Sequence, residues 1–159
     1  MSYIEVLCSV IISLNMPNSD LACKHMETII EASDHYNLEP ELMVALIHYE
    51  SRWTPSAVSR SGACGLTQVL PKYTKNPKLT CEQLKDPETS IWAGAKALNF
   101  WLHKYKRNRG SIKLALCGYN AGFRCLGPNP NRKGMRYSRK IRRLYRRIIR
   151  EVQREVPGC

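Results

Sequence analysis

Apolar residues recur at intervals of three and four along nearly the whole chain, and this spacing constrains the fold more than any other feature. The clearest case is the final segment, where one side of a helix would carry Ile141, Leu144, Tyr145, Ile148 and Ile149. No segment alternates apolar and polar residues as a half-buried strand does. The sequence therefore predicts an all-α fold, and its 159 residues are enough for one domain with a core.

Local boundary signals divide this pattern into separate helices. Pro40 and Pro87 occupy first-turn positions, where a missing N–H costs nothing, and Gly122 can close a helix. The predicted helices cover residues 18–36, 38–51, 86–105, 111–122 and a C-terminal segment, with loops at 71–80 and 127–134. We expect the helix at 38–51 to be central, and residues 1–35 to form a helical segment that packs on a main domain of residues 36–159.

The N-terminal residues allow two interpretations. Residues 6–14, VLCSVIISL, form an apolar run about as long as the hydrophobic part of a signal peptide. No Lys or Arg precedes the run, and the residue directly before it is the acidic Glu5. The run is also too short to span a bilayer. A buried first helix is the favoured interpretation, and a signal peptide ending near residues 20–23 is the alternative.

Positive charge is concentrated near the C-terminus. The net charge is +12, and residues 132–154 contain 11 of the 25 Lys and Arg. A surface this basic attracts polyanions such as nucleic acid, anionic lipid or the acidic polymers of a bacterial cell wall. The same residues also fit the solvated face of an ordinary helix, so the charge alone does not identify a partner.

Seven cysteines are many for a chain of this length. None stands in a CxxC pair or at a Cys/His spacing typical of zinc, and we expect no metal and no cofactor. Disulfides formed in an oxidising compartment fit better. We predict the pairs Cys64–Cys81 and Cys117–Cys125, because each would bracket a loop that is otherwise loosely held. The odd count leaves at least one thiol.

Glu50 ends the apolar helix at 38–51 and is followed by the glycine-containing stretch SRWTPSAVSRSGACGLTQVLP. A glutamate at a helix end is most often a surface charge bonded to a neighbour. In a cleft with apolar walls, however, desolvation would raise its pKa and let it act as a general acid near neutral pH. The chain has no GxSxG nucleophile elbow and no HExxH zinc motif.

The residues around Glu50 match a known pattern. The stretch ESRWTPSAVSRSGACGLTQVLP is followed by DPETSIWAGAKAL, by LCGYNAG and by Tyr137. In this order the motifs resemble the soluble (SLT-type) lytic transglycosylases, which share a fold with goose-type lysozyme. The resemblance covers roughly residues 36–145 and implies that the all-α fold is lysozyme-like. The basic, cysteine-bearing form is most similar to small bacteriophage muralytic enzymes.

The resemblance implies cleavage of the β-1,4 bond between N-acetylmuramic acid and N-acetylglucosamine in peptidoglycan, leaving a 1,6-anhydro-muramic end. A single glutamate serves as acid and then as base in this reaction, and the sequence has no Asp or Glu between Glu50 and Glu82. The expected partners are peptidoglycan strands, anionic wall polymers on the basic C-terminal helix, and phage virion proteins. The expected place of action is the periplasm or cell wall, reached by export or from a virion.

The resemblance also assigns roles to individual positions. Glu50 would be the catalytic acid, and the substrate-binding or positioning residues would be Ser51, Ser59, Gln68, Leu70, Tyr119, Asn120 and Tyr137. Tyr137 would contact the acid through its hydroxyl group. Two positions depart from the family pattern, because Thr67 replaces an apolar residue and Gly118 replaces an alanine, and both leave subsite preference open.

Two other functions stay possible at this stage. The same fold can act as a true hydrolase, a lysozyme. A non-enzymatic virion component could instead use the basic C-terminal helix to bind DNA or anionic membrane. Joint occurrence of Glu50, Gln68 and the YNAG motif argues against a non-enzymatic protein. The absence of a partner carboxylate near Glu50 in the sequence favours the lytic transglycosylase over the hydrolase.

Overall fold

A computed structural model describes residues 1–105 and 111–156 of the chain. The α-helices are α1 (Tyr3–Ser13), α2 (Ser19–Lys24), α3 (Met26–His35), α4 (Pro40–Ser51), α5 (Cys81–Leu84), α6 (Pro87–Tyr105), α7 (Ser111–Ala121) and α8 (Arg132–Glu155). Two short 3-10 helices cover Pro71–Tyr73 and Gly122–Cys125. Within the described residues the only β-type pairings are isolated bridges of Cys64 with Val58 and Val69. The prediction of an all-α fold is confirmed.

Helix α4 lies at the centre of the molecule. Its residues 42–47 are all buried, and it packs against α3 and α8. Pro40 occupies its first turn as predicted. Helix α6 also begins as predicted, because the carboxylate of Asp86 accepts a hydrogen bond from the backbone N–H of Thr89 at 2.9 Å. Helices α6, α7 and α8 pack in sequence on one another and complete the core around α4.

Two predicted boundaries were wrong. The helix predicted over 18–36 is broken at His25, whose backbone angles (φ −106°, ψ 13°) leave the helical region. The break allows α2 to pack on α1 while α3 packs on α4 and α6. The loop predicted over 127–134 ends earlier, because the side chain of Asn131 accepts a hydrogen bond from the N–H of Gly134 at 2.9 Å and so caps α8.

Helix α1 contributes apolar side chains to the core. Val6, Leu7, Val10 and Ile11 are buried, and the helix contacts α2, α3 and α8. The hydroxyl of Tyr3 donates a hydrogen bond to Glu41 at 2.5 Å and so joins α1 to the first turn of α4. The division into residues 1–35 and 36–159 stays a prediction. Among the described residues, no helix is long and apolar enough to cross a membrane.

Both predicted disulfides are present. Cys64 is bonded to Cys81, and Cys117 is bonded to Cys125. The first joins the loop after α4 to the start of α5, and the second joins α7 to the short helix that follows it. Cys8 and Cys23 are thiols. Cys159 lies outside the described residues.

Candidate active site

Glu50 lies in the last turn of α4, where the chain makes an unusual exit from the helix. Arg52 and Trp53 both adopt positive φ angles, 50° and 61°, which non-glycine residues rarely do. Two features stabilise this conformation. The side chain of Asn18 donates a hydrogen bond to the carbonyl of Arg52 at 3.1 Å, and the side chain of Trp53 is buried, with 1% of its surface exposed. Trp53 is therefore a packing residue beneath the site and is not available for stacking on a sugar.

The carboxyl group of Glu50 accepts a hydrogen bond from the hydroxyl of Tyr137. Burial raises the pKa of Glu50 to about 7, and the Tyr137 hydrogen bond opposes this by lowering it. A pKa in this range allows Glu50 to exist in both the protonated and the ionised form near neutral pH. Such a group can donate a proton and take one back at the same pH, as a residue that acts both as acid and as base requires.

The other carboxylates that the structure describes do not contribute to this shift of the Glu50 pKa. The charges of Glu41, Glu39 and Asp34 act on a different residue, Tyr3, whose pKa they raise. Glu41 is in the first turn of α4 and Glu50 in the last, so about 14 Å of helix separates them at 1.5 Å per residue. The causes of the raised Glu50 pKa therefore include no second carboxylate.

Tyr137 reaches Glu50 because α8 is held firmly on its neighbours. The Asn131 cap fixes the first turn of α8, and the hydroxyl of Ser138 donates a hydrogen bond to the carbonyl of Lys113 in α7 at 2.7 Å. Helix α8 also packs along α4. Burial and the charge of Glu50 raise the pKa of Tyr137 well above its ordinary value, so the phenol stays protonated and remains a donor.

Tyr119 is the second tyrosine close to Glu50. Burial and then the charge of Glu50 raise its pKa well above the ordinary value. Its hydroxyl donates a hydrogen bond to the backbone carbonyl of Thr67 at 2.6 Å. This contact connects α7 to the loop that follows α4, so Tyr119 fixes the position of one wall of the site.

The loop after α4 brings Ser59 and Gln68 into a compact structure. The amide nitrogen of Gln68 donates hydrogen bonds to the carbonyls of Ala57 and Gly65 at 3.0 and 2.9 Å. The hydroxyl of Ser59 accepts a hydrogen bond from the N–H of Ala63 at 3.0 Å. Both predicted binding residues thus also stabilise the loop itself. Among the described contacts, the amide oxygen of Gln68 has no protein donor.

The two departures from the family pattern have structural explanations. Thr67 is fully buried, and its hydroxyl donates a hydrogen bond to the carbonyl of Ser90 in α6 at 2.7 Å. A polar residue is tolerated there because its hydroxyl is satisfied. At Gly118 a Cβ atom would lie 2.5 Å from the ring of Trp101, so an alanine would not fit without a shift of that ring.

The remaining predicted residues lie at the edges of the site. The hydroxyl of Ser51 is 3.4 Å from the carbonyl of Ile47, within the last turn of α4. Leu70 is half-buried and precedes the 3-10 helix Pro71–Tyr73. Asn120 is exposed at the C-terminal end of α7. It faces an open groove, which is lined by Tyr49, Asn120, Lys133, Arg136, Tyr137 and Lys140.

The sequence analysis did not identify four of these groove residues: Tyr49, Lys133, Arg136 and Lys140. The signal was nevertheless available, because Tyr49 adjoins Glu50 and the three cations lie one helical turn or less from Tyr137 on α8. Only the contact between Tyr137 and Glu50 shows which side of α8 faces the site.

Comparison with known sequences gives consistent matches. The sequence profile of the family described as Transglycosylase SLT domain matches residues 27–142. The protein named Transglycosylase of Enterobacteria phage PRD1 is 36% identical over 101 residues, which cover 64% of this chain and 36% of that protein. Membrane-bound lytic murein transglycosylase C of Pectobacterium atrosepticum is 34% identical over 136 residues, which cover 76% of this chain and 38% of that protein.

A solved structure has the same fold. An inactive mutant of the lytic transglycosylase Slt from Pseudomonas aeruginosa matches with a TM-score of 0.70 at 21% sequence identity, covering 81% of this chain and 24% of that chain. The chain thus corresponds to only part of each of these proteins, 36% and 38% of the two sequence relatives.

Proposed function

Because the chain belongs to the transglycosylase SLT domain family, we propose that it is a peptidoglycan lytic transglycosylase with Glu50 as its single acid and base. Its substrate would be the β-1,4 bond between N-acetylmuramic acid and N-acetylglucosamine. The observation that carries the proposal is the half-buried carboxyl group of Glu50, with a pKa of about 7 and a hydrogen bond from Tyr137. The relatives named as transglycosylases support the same reaction.

The reaction proceeds in two proton transfers. Protonated Glu50 donates its proton to the glycosidic oxygen, the bond from that oxygen to C1 of the muramoyl residue breaks, and N-acetylglucosamine leaves as an alcohol. The N-acetyl group of the muramoyl residue can stabilise the cation that forms at C1. The C6 oxygen of the same sugar then attacks C1, and its proton passes to the Glu50 carboxylate. The acid is regenerated, no water is consumed, and the product is a 1,6-anhydro sugar.

Other residues of the site would orient the substrate and the acid. Tyr137 holds the Glu50 carboxyl group through its hydroxyl, and Tyr119 holds the Thr67 backbone. The free amide oxygen of Gln68 can accept a hydrogen bond from a sugar hydroxyl or N-acetyl N–H. Ser59, Asn120 and Leu70 would line the glycan path, and Ser51 would fix the helix end beside the acid.

The products of digestion test the proposal directly. Purified peptidoglycan is incubated with the protein, and the released fragments are analysed by mass spectrometry. Anhydro-muramoyl ends support a lytic transglycosylase. Reducing ends that are one water heavier would identify a hydrolase on the same fold and would refute the anhydro mechanism.

A Glu50→Gln variant tests the role of the acid. It keeps the shape of the side chain but cannot exchange a proton, so we expect the initial rate of wall lysis to fall at least about 10²–10⁴-fold. Glu88→Gln is the matched control, because Glu88 is an exposed carboxylate in the first turn of α6. Undiminished lysis by the Glu50 variant would exclude Glu50 as the acid.

We further propose that the exposed cations of α8 attract the protein to anionic cell-wall polymers, and that the protein reaches the wall by export or as part of a virion. Exposed cations continue along the helix well beyond the groove, at Arg143, Arg146, Arg147, Arg150 and Arg154. Attraction of this kind is screened by salt. Wall binding that is unchanged between low and high ionic strength would contradict it, and co-purification with phage particles would distinguish the virion route from export.

A further inference from the structure

Two cysteines lie at the contact between the first two helices. Cys8 is in α1, Cys23 is in the last turn of α2, and each is half-buried. Their neighbours Leu7 and Ala22 are fully buried in the same apolar cluster, because the two helices pack on each other. The thiol of Cys8 donates a hydrogen bond to the sulfur of Cys23. Helix packing therefore brings these two sulfur atoms into contact.

The other cysteines that the structure describes are all paired, in the disulfides Cys64–Cys81 and Cys117–Cys125. In the described part of the chain, Cys8 and Cys23 are the remaining thiols. Two disulfides in a chain of this size fit folding in an oxidising compartment. Two thiols in contact would not stay reduced in such a compartment, because the fold gives each sulfur a high effective concentration beside the other.

The position of these thiols suits a disulfide between the two helices. A disulfide joins sulfur atoms about 2 Å apart and Cβ atoms roughly 3.5–4.5 Å apart. Contacting thiols on two packed helices reach this geometry by rotation of their side chains, and the helices stay in place. We propose that Cys8 and Cys23 form a third disulfide of this protein, which bonds α1 to α2. The proposal holds whether or not the chain cleaves peptidoglycan.

The bond forms by exchange with a disulfide oxidant, which is oxidised glutathione or an oxidised dithiol protein. Burial, followed by the hydrogen bond and charge of Cys23, raises the pKa of Cys8 to about 12, so Cys8 stays protonated. Cys23 loses its proton first, attacks the oxidant and releases one thiol from it. Cys8 then loses its proton, attacks the sulfur of Cys23 and releases the second thiol. The two cysteines lose two electrons and two protons, and the oxidant gains them.

Helix α2 is a part of the fold that a covalent bond would support. It has only 6 residues and depends on tertiary contacts for its stability. Asn18, directly before α2, donates a hydrogen bond to the carbonyl of Arg52 at 3.1 Å, where the chain leaves α4 next to Glu50. A bond at Cys23 therefore stabilises the helix that follows this contact.

Methionines in the sequence separate the two cysteines and allow a direct test. The full chain is equilibrated with a mixture of oxidised and reduced glutathione, remaining thiols are blocked with N-ethylmaleimide, and the chain is cleaved after methionine with cyanogen bromide. Cleavage at Met1, Met16 and Met26 places Cys8 in fragment 2–16 and Cys23 in fragment 17–26. We expect mass spectrometry to find these fragments joined, lighter by two hydrogen atoms than their sum, and separated after reduction.

Thermal stability gives a second measurement. The bond would close a loop over residues 8–23, so its loss in Cys8→Ala should lower the Tm of the oxidised protein by roughly 6–12 °C. Cys23→Ala and the double variant should lose the same amount, because either single change removes the whole bond. Separate packing contributions of the two thiols would instead add in the double variant. Cys159→Ala is the matched control and should keep the joined fragments.

Three results would overturn the proposal. The first is recovery of both Cys8 and Cys23 as N-ethylmaleimide adducts after equilibration with glutathione. The second is a fragment in which either cysteine is joined to Cys159 in place of the other. The third is a loss of Tm in the double variant that equals the sum of the two single losses, since the thiols would then act independently.

Discussion

Removal of the Tyr137 hydroxyl should move the pH dependence of the reaction to higher pH. Burial raises the pKa of Glu50 to about 7, and the hydrogen bond from Tyr137 lowers it by favouring the ionised carboxylate. In a Tyr137→Phe variant the opposing contribution is lost and the acid becomes weaker. Since Glu50 must be protonated to donate, the variant should keep its competent form to a higher pH than the wild type.

The size of the shift follows from the two protonation states. A hydrogen bond to a charged group contributes about 1.5–3 kcal/mol and one between neutral groups about 0.5–1.5 kcal/mol. The variant loses both, so the carboxylate loses about 1–1.5 kcal/mol more than the protonated acid does. At 1.36 kcal/mol per pKa unit this corresponds to an upward shift of about one unit, from about 7 to roughly 8.

The assay is the initial rate of wall lysis between pH 5 and pH 9, at low substrate so that kcat/KM is measured. The maximal rate should fall, because Tyr137 also orients the acid, but the alkaline limb should lie about one unit higher than in the wild type. Tyr145→Phe is the matched control, since Tyr145 is also on α8 and donates a hydrogen bond to a different carboxylate, Glu39. An alkaline limb that is unchanged or lower in Tyr137→Phe, or equally shifted in Tyr145→Phe, would refute the reasoning.

Two further predictions concern stability. Because the pKa of Glu50 is raised in the folded state, protonation of Glu50 stabilises the fold, and this stabilisation is lost as pH rises through about 7. Glu50→Gln should therefore raise the free energy of unfolding by up to roughly 3 kcal/mol more at pH 9 than at pH 4. Denaturant unfolding at both pH values measures this, and equal effects would contradict it. Gly94→Ala places a Cβ atom 2.4 Å from the side chain of buried Thr67, so overpacking should cost about 1–3 kcal/mol, roughly 2–4 °C of Tm per kcal/mol. An unchanged Tm for Gly94→Ala would show that the contact is not tight.

Local patterns in the sequence were sufficient for most of the helices. Pro40 at the start of α4 and Asp86 before α6 act within one helical turn, so their effect is visible without the fold. The two disulfides were predicted for a similar reason, since each closes a short loop. An error arose where tertiary packing determines the helix boundary. The helix breaks at His25 because α2 packs on α1 while α3 packs on α4 and α6.

The sequence alone likewise predicted only part of the candidate site. Glu50 was identified from its motif, and Tyr137 was expected to contact it only through a family resemblance, because the two residues are 87 positions apart. The sequence alone contains Glu50, Tyr137 and the eleven cations of residues 132–154. Only the tertiary structure decided how deeply Glu50 is buried, that Thr67 is satisfied by Ser90, and which cations face the groove. Helix formation depends on neighbours within a turn, whereas a pKa and a binding surface depend on residues that packing brings together from distant parts of the chain.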